Sequence, residues 1–104
     1  MQESQLIYHV MQALGKHGAV YRCNSGSVKL PSGKRFNAMP RGFADVMVVL
    51  NGGRIAFIEL KTNKGKSSPE QERFISKMQG LGAMAGTARS VGEALQICGL
   101  AGEA

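Results

Sequence analysis

A chain of 104 residues has the length of one domain, and its 43% hydrophobic content can fill one modest core but not two. No apolar run approaches the ~20 residues that cross a bilayer. The opening MQESQLIYHV begins with an acid and lacks the basic-then-apolar order of a secretory signal, so a cytoplasmic protein without a membrane partner is expected. A formal net charge of +6 favours a polyanionic partner, most simply nucleic acid, over a basic protein whose charge only opposes aggregation. Cys23 and Cys98 have no CxxC partner, and His9 and His17 do not stand at zinc-ligand spacing. Both thiols read as reduced core residues, with no organic cofactor indicated.

Residues 2–16 predict a helix: Leu6, Ile7, Val10, Met11 and Leu14 make one apolar stripe, and Gly15 and Gly18 end it. At 100° per residue Glu3 falls near the centre of that stripe, which sends a carboxylate toward the core side unless it only answers the helix dipole at a frayed end. Residues 19–24 (AVYRCN) predict a strand. The segment 25–44 then changes character. It carries Gly, Ser and Pro turn signals with Lys29, Lys34, Arg35 and Arg41, and Pro31-Ser32-Gly33 suggests a hairpin tip. A long basic segment in so small a chain points to phosphate contact.

Residues 45–50 (DVMVVL) predict an apolar strand that starts with an acid, and Asn51-Gly52-Gly53 predicts a hairpin turn. The returning strand 54–61 (RIAFIELK) ends in Glu59 and Lys61, two residues apart and so on one face. The hairpin brings Asp45 to that same end. A basic loop, 62–67, contains Lys64. Ser68, Pro69 and Gln71 predict the cap, first position and capping-box position of a second helix, with Phe74, Ile75, Met78 and Leu81 as its buried stripe. Gln71 shares that stripe, so an amide also turns inward unless its role is capping alone. Residues 83–88 predict a short strand. Ser90 and Glu93 predict a second capping box, opening a last helix that carries Val91, Ala94, Leu95 and Cys98. The order predicts a mixed α/β domain.

Four charged groups, Glu3, Asp45, Glu59 and Lys61, are thus expected to face inward, with Gln71 beside them. Two carboxylates ~4 Å apart repel by about 4 kcal/mol at an effective dielectric of 20. One must protonate, or a cation must lie between them. Lys61 carries one positive charge and cannot neutralise three acids. A divalent ion can, and hard oxygen donors without thiolate select magnesium or manganese. Such an ion beside a lysine suits phosphodiester hydrolysis. The competing reading is a buried Glu59–Lys61 ion pair.

The run GFAD (42–45), IELK (58–61) and SSPEQERF (67–74), closed by ARSVGEAL (88–95), resembles the PD-(D/E)xK nuclease superfamily, and most closely its VRR-Nuc branch, across nearly the whole chain. The resemblance implies a restriction-endonuclease-like α/β core, a mixed β-sheet flanked by helices, and a Mg2+- or Mn2+-dependent endodeoxyribonuclease. It implies Asp45 and Glu59 as metal-binding acids and the Leu60 carbonyl as a further ligand. Glu3 would act on the metal through water, Lys61 would be the catalytic lysine, and Gln71 would be the glutamine behind the site. Ala44 departs from the pattern, where proline is frequent. Asn24 and Arg41 fit phosphate contact less diagnostically. Stand-alone members resemble Holliday-junction resolvases, so branched DNA and a homodimer are expected. Met39, Phe43, Met84 and Leu100 are candidates for the dimer interface. The alternatives are a nicking or restriction-like nuclease without junction preference and a non-catalytic nucleic-acid-binding module.

Overall fold

The computed structural model describes residues 1–23, 27–37 and 39–100; Asn24 lies outside the described residues. Helix α1 (Glu3–Leu14) is followed by β1 (Gly18–Arg22), a hairpin of β2 (Ser27–Lys29) and β3 (Arg35–Asn37), β4 (Val46–Leu50) and β5 (Ile55–Leu60). Helix α2 (Pro69–Gly80), β6 (Met84–Ala88) and α3 (Val91–Ile97) complete the order. Apart from β2 and β3, for which the sequence marks only the tip, each element begins within one or two residues of its sequence expectation, because each is bounded by a local signal. Gly15 caps α1. Gly52 and Gly53 take positive φ between β4 and β5. Ser68 accepts from the Gln71 amide while the Gln71 side chain returns to the Ser68 amide.

The main sheet runs β1-β4-β5-β6. The pairs β1–β4 and β4–β5 are antiparallel and β5–β6 is parallel, with α2 as the crossover. The sheet is therefore mixed, as expected. The hairpin β2–β3 forms a separate two-stranded sheet, and Leu30 and Lys34 close its Pro31-Ser32-Gly33 tip. No helix among the described residues is long and apolar enough to cross a membrane.

Alternation along the strands sorts two cores onto the two sheet faces. Val46, Val48, Leu50, Ala56, Ile58 and Leu60 face α1 and α3, where Leu6, Val10, Leu14, Leu95 and Cys98 complete the larger core. On the other face Ala44, Phe57 and Ala85 pack beneath α2 with Phe43, Phe74 and Ile75. Phe43, Phe57 and Phe74 meet as a trio with centroids 4.6–5.8 Å apart, each pair contributing about 0.5–1.5 kcal/mol beyond burial. Gly42 makes this packing possible. It has φ 88°, and a Cβ there would lie 2.6 Å from the Glu70 backbone, so the first turn of α2 rests directly on the loop before Asp45.

Four expectations need correction. Leu81 is not part of the α2 stripe; it forms the helix C-cap and is 72% exposed. Phe43, Met84 and Leu100 are not spare interface residues, because they pack against the two cores. Cys98 is buried but Cys23 is only half-buried, and both are free thiols whose pKa burial pushes up. The second capping box closes one residue early: Ser90 caps the Glu93 amide, but Glu93 Oε1 accepts from the Arg89 amide.

Candidate active site

The site grows out of the β4–β5 register. Val46 pairs with Ile58 and Met47 with Phe57, so one further step sets Asp45 opposite Glu59. Opposed residues in an antiparallel pair share a face, here the face beneath α2. Ladder pairing ends at Val46, and Asp45 replaces it with a side-chain bond. Its Oδ2 accepts the Leu60 amide at 2.8 Å while its backbone carbonyl accepts the Cys23 amide at 2.8 Å. Asp45 is thereby tied to both neighbouring strands.

Glu59 is 2% exposed and is the buried charged residue of the described chain. Its Oε2 has no hydrogen-bond partner. Burial first, then the hydrogen bond and the charge of Asp45, hold its carboxyl well above the usual carboxylate range; Lys61 opposes this, and Glu3 adds a smaller upward push. The competing reading, a close Glu59–Lys61 ion pair, does not describe this arrangement, since Oε2 is unpartnered and Lys61 acts on Glu59 through its charge. A buried acceptor left unsatisfied costs about 1–3 kcal/mol. A proton or a cation at that oxygen would remove the cost.

The structure brings Asp45, Glu59 and the Leu60 backbone to one point, with Lys61 following on the same strand. Glu3 stands further out. It is exposed, and no three His, Cys, Asp or Glu side chains among the described residues come close enough to share an ion. Gln71 is half-buried, and its Oε1 accepts from the Ser68 amide at 2.8 Å, so that oxygen is committed to the helix cap. The acids that remain, Asp45 and Glu59, offer hard oxygen, which suits Mg2+ or Mn2+ better than zinc.

The basic residues fall into two groups. Lys29 and Lys34 are exposed on the β2–β3 hairpin, which also carries Arg35. Arg41 precedes Gly42, and Lys64 is exposed on the loop after Lys61. Both groups leave the main sheet at the end that holds Asp45 and Glu59, because the hairpin segment follows β1 at Cys23 and rejoins the sheet at Asp45. Three nearby residues have no signal in the sequence. Thr87 lies beside Glu59 in the parallel register and shares a 3.4 Å hydrogen bond with Ser67. Arg89 reaches back to the loop after Lys61. A parallel register is set by how α2 crosses over the sheet, which no local pattern encodes.

No family model and no curated protein matches the chain. Among solved structures, one described as a VRR_NUC domain superposes with a TM-score of 0.65 at 21% identity, over 93% of this chain and 94% of that one. The likeness spans both chains almost end to end, and the protein has the fold of a VRR_NUC domain.

Proposed function

We propose that this chain is a metal-dependent endonuclease that hydrolyses phosphodiester bonds in DNA, as a single domain. The observation that carries the proposal is Glu59, a buried carboxyl opposite Asp45 with one oxygen unpartnered, at the sheet end from which both basic segments depart. A binding module has no use for this arrangement, since carboxylates repel phosphates unless a cation intervenes. The fold of the VRR_NUC neighbour supports the same reading.

Asp45, Glu59 and the Leu60 carbonyl would hold Mg2+ or Mn2+, with Glu3 acting through water. The bound ion would polarise the scissile phosphate and acidify a water. Asp45 is oriented for this by the Leu60 amide, and Glu59 would bind the ion as the carboxylate, its proton passing to solvent. Lys61 would hold the attacking water and oppose the negative charge that builds on the phosphate. Gln71, through the amide nitrogen left free by its capping oxygen, would brace the reacting groups. Lys29, Lys34, Arg35, Arg41 and Lys64 would bind the DNA backbone, as would Asn24 outside the described residues.

Branched DNA, in particular a four-way junction, is the substrate this reading favours, cut by a homodimer with two sites. With Phe43, Met84 and Leu100 committed to the cores, a dimer would draw on exposed residues such as Tyr21, Ile55 and Leu81. Free, protonated thiols suit a cytoplasmic location. The test is incubation with labelled linear, flapped and four-way DNA, with and without magnesium or manganese. Cleavage that requires the metal and prefers the junction is expected. Binding without cleavage under every condition would reduce the protein to a nucleic-acid-binding module.

A further inference from the structure

We propose that Arg89 is a positioning residue for Lys61, acting through the turn at residues 62–65. The inference rests on the nuclease reading for the role of Lys61, but its geometry stands independently. The ladder between β5 and β6 continues past Leu60 and Ala88, where the Lys61 amide donates to the Ala88 carbonyl at 3.1 Å. Arg89 therefore leaves β6 level with Lys61 on β5. Its backbone is anchored in turn, since its amide donates to Glu93 Oε1 at 2.6 Å.

The chain after Lys61 folds straight into a turn closed by the Gly65 amide on the Thr62 carbonyl at 3.0 Å. The Arg89 guanidinium spans that turn. Nη1 donates to the Thr62 carbonyl at 2.6 Å and Nη2 to the Gly65 carbonyl at 2.7 Å. Both are short, charge-assisted bonds in the fork geometry that only guanidinium offers. They connect sequence positions separated by more than twenty residues.

The turn in turn bears on the lysine. A Cβ built on Gly65 would stand 3.2 Å from Lys61 Cδ and 3.4 Å from Lys61 Cβ. The Gly65 backbone thus lies against the aliphatic stem of Lys61, and a side chain there would push the stem by a few tenths of an ångström. A lysine stem has four rotatable bonds, and its ammonium wanders unless the stem is confined. Arg89 fixes the turn, and the turn walls one side of the stem. Lys61, whose charge acts on Glu59, is then presented by a contact that reaches no substrate atom itself. A displacement of about 1 Å in a catalytic group can cost on the order of a hundredfold in rate.

The test compares Arg89→Ala, Arg89→Lys and Gly65→Ala with the parent protein by steady-state cleavage and by NMR of the lysine ε-methylene signals. The Lys61 signal is identified by its absence in Lys61→Ala. Expected are a kcat at least tenfold lower in Arg89→Ala with KM within about twofold, partial recovery on adding free guanidinium, and little rescue by Arg89→Lys, which cannot span both carbonyls. Gly65→Ala should lower kcat from the other side of the same contact. The Lys61 ε-methylene should move toward its random-coil position in Arg89→Ala while the melting temperature holds. An unmoved Lys61 signal overturns the proposal whether or not the protein cleaves DNA, and so does a loss confined to KM. Absence of cleavage in the parent protein, with the Lys61 signal shifting as expected, would instead overturn the nuclease reading and leave the Arg89 contact in place.

Discussion

Glu59 offers the sharpest quantitative test of the site. Its folded-state pKa is raised, so in metal-free buffer the folded chain keeps a proton that the unfolded chain releases. Where the unfolded state binds fewer protons, stability falls as pH rises. The contribution is fully present below the ordinary glutamate value, about 4.3, and is lost as pH climbs toward the raised folded value. Within that window the slope is about 1.4 kcal/mol per pH unit, so from pH 5 to 7 the loss from this one group is roughly 3 kcal/mol. Glu59→Gln has nearly the shape of the protonated acid and cannot ionise, so it should abolish this slope while leaving other titrations in place. Urea unfolding of both proteins with a chelator, at half-unit pH steps, gives the difference directly. The curves should diverge with rising pH, the variant becoming the more stable. Parallel curves would show that Glu59 titrates alike in both states, and the account of a buried, proton-holding carboxyl would be wrong.

Lys61→Ala is expected to preserve the fold and DNA affinity but abolish cleavage, read by gel assay beside fluorescence anisotropy; continued turnover would remove the lysine from the chemistry. Asp45→Asn keeps an oxygen for the Leu60 amide but loses the charge, so calorimetric titration with manganese should show affinity reduced at least tenfold, and an unchanged isotherm would remove Asp45 from the ligand set. Neutralising Lys29, Lys34 and Arg35 together should reduce the slope of log affinity against log salt by up to about 0.9 for each phosphate that these side chains neutralise in the parent protein. An unaltered slope would place the DNA elsewhere.

Much of the fold was legible because its boundaries carry their own chemistry. The stripe of α1 and the Ser68-Pro69-Gln71 cap each state an element within a few residues. The Asn51-Gly52-Gly53 turn states the β4–β5 hairpin in the same way. The hairpin length also brought Asp45 to Glu59, since turn geometry fixes antiparallel register. What failed depended on contacts between distant segments. Leu81 has the spacing of a core residue but falls where the helix has already ended. Phe43 looked superfluous until Phe57 and Phe74 came to meet it. Glu3 has the helical phase of an inward group, yet the first turn leaves it exposed. The proximity of Thr87 and Arg89 depends on the parallel crossover and was beyond reach of any local pattern.

Leu60 belongs to two regions at once. Its side chain is fully enclosed in the larger core, among residues of α1 and α3, while its amide grips Asp45 on the opposite face. Mechanical slack introduced behind the sheet is therefore delivered to the carboxylates in front of it. A smaller side chain at this position would disturb the chemistry without changing a single group that takes part in it.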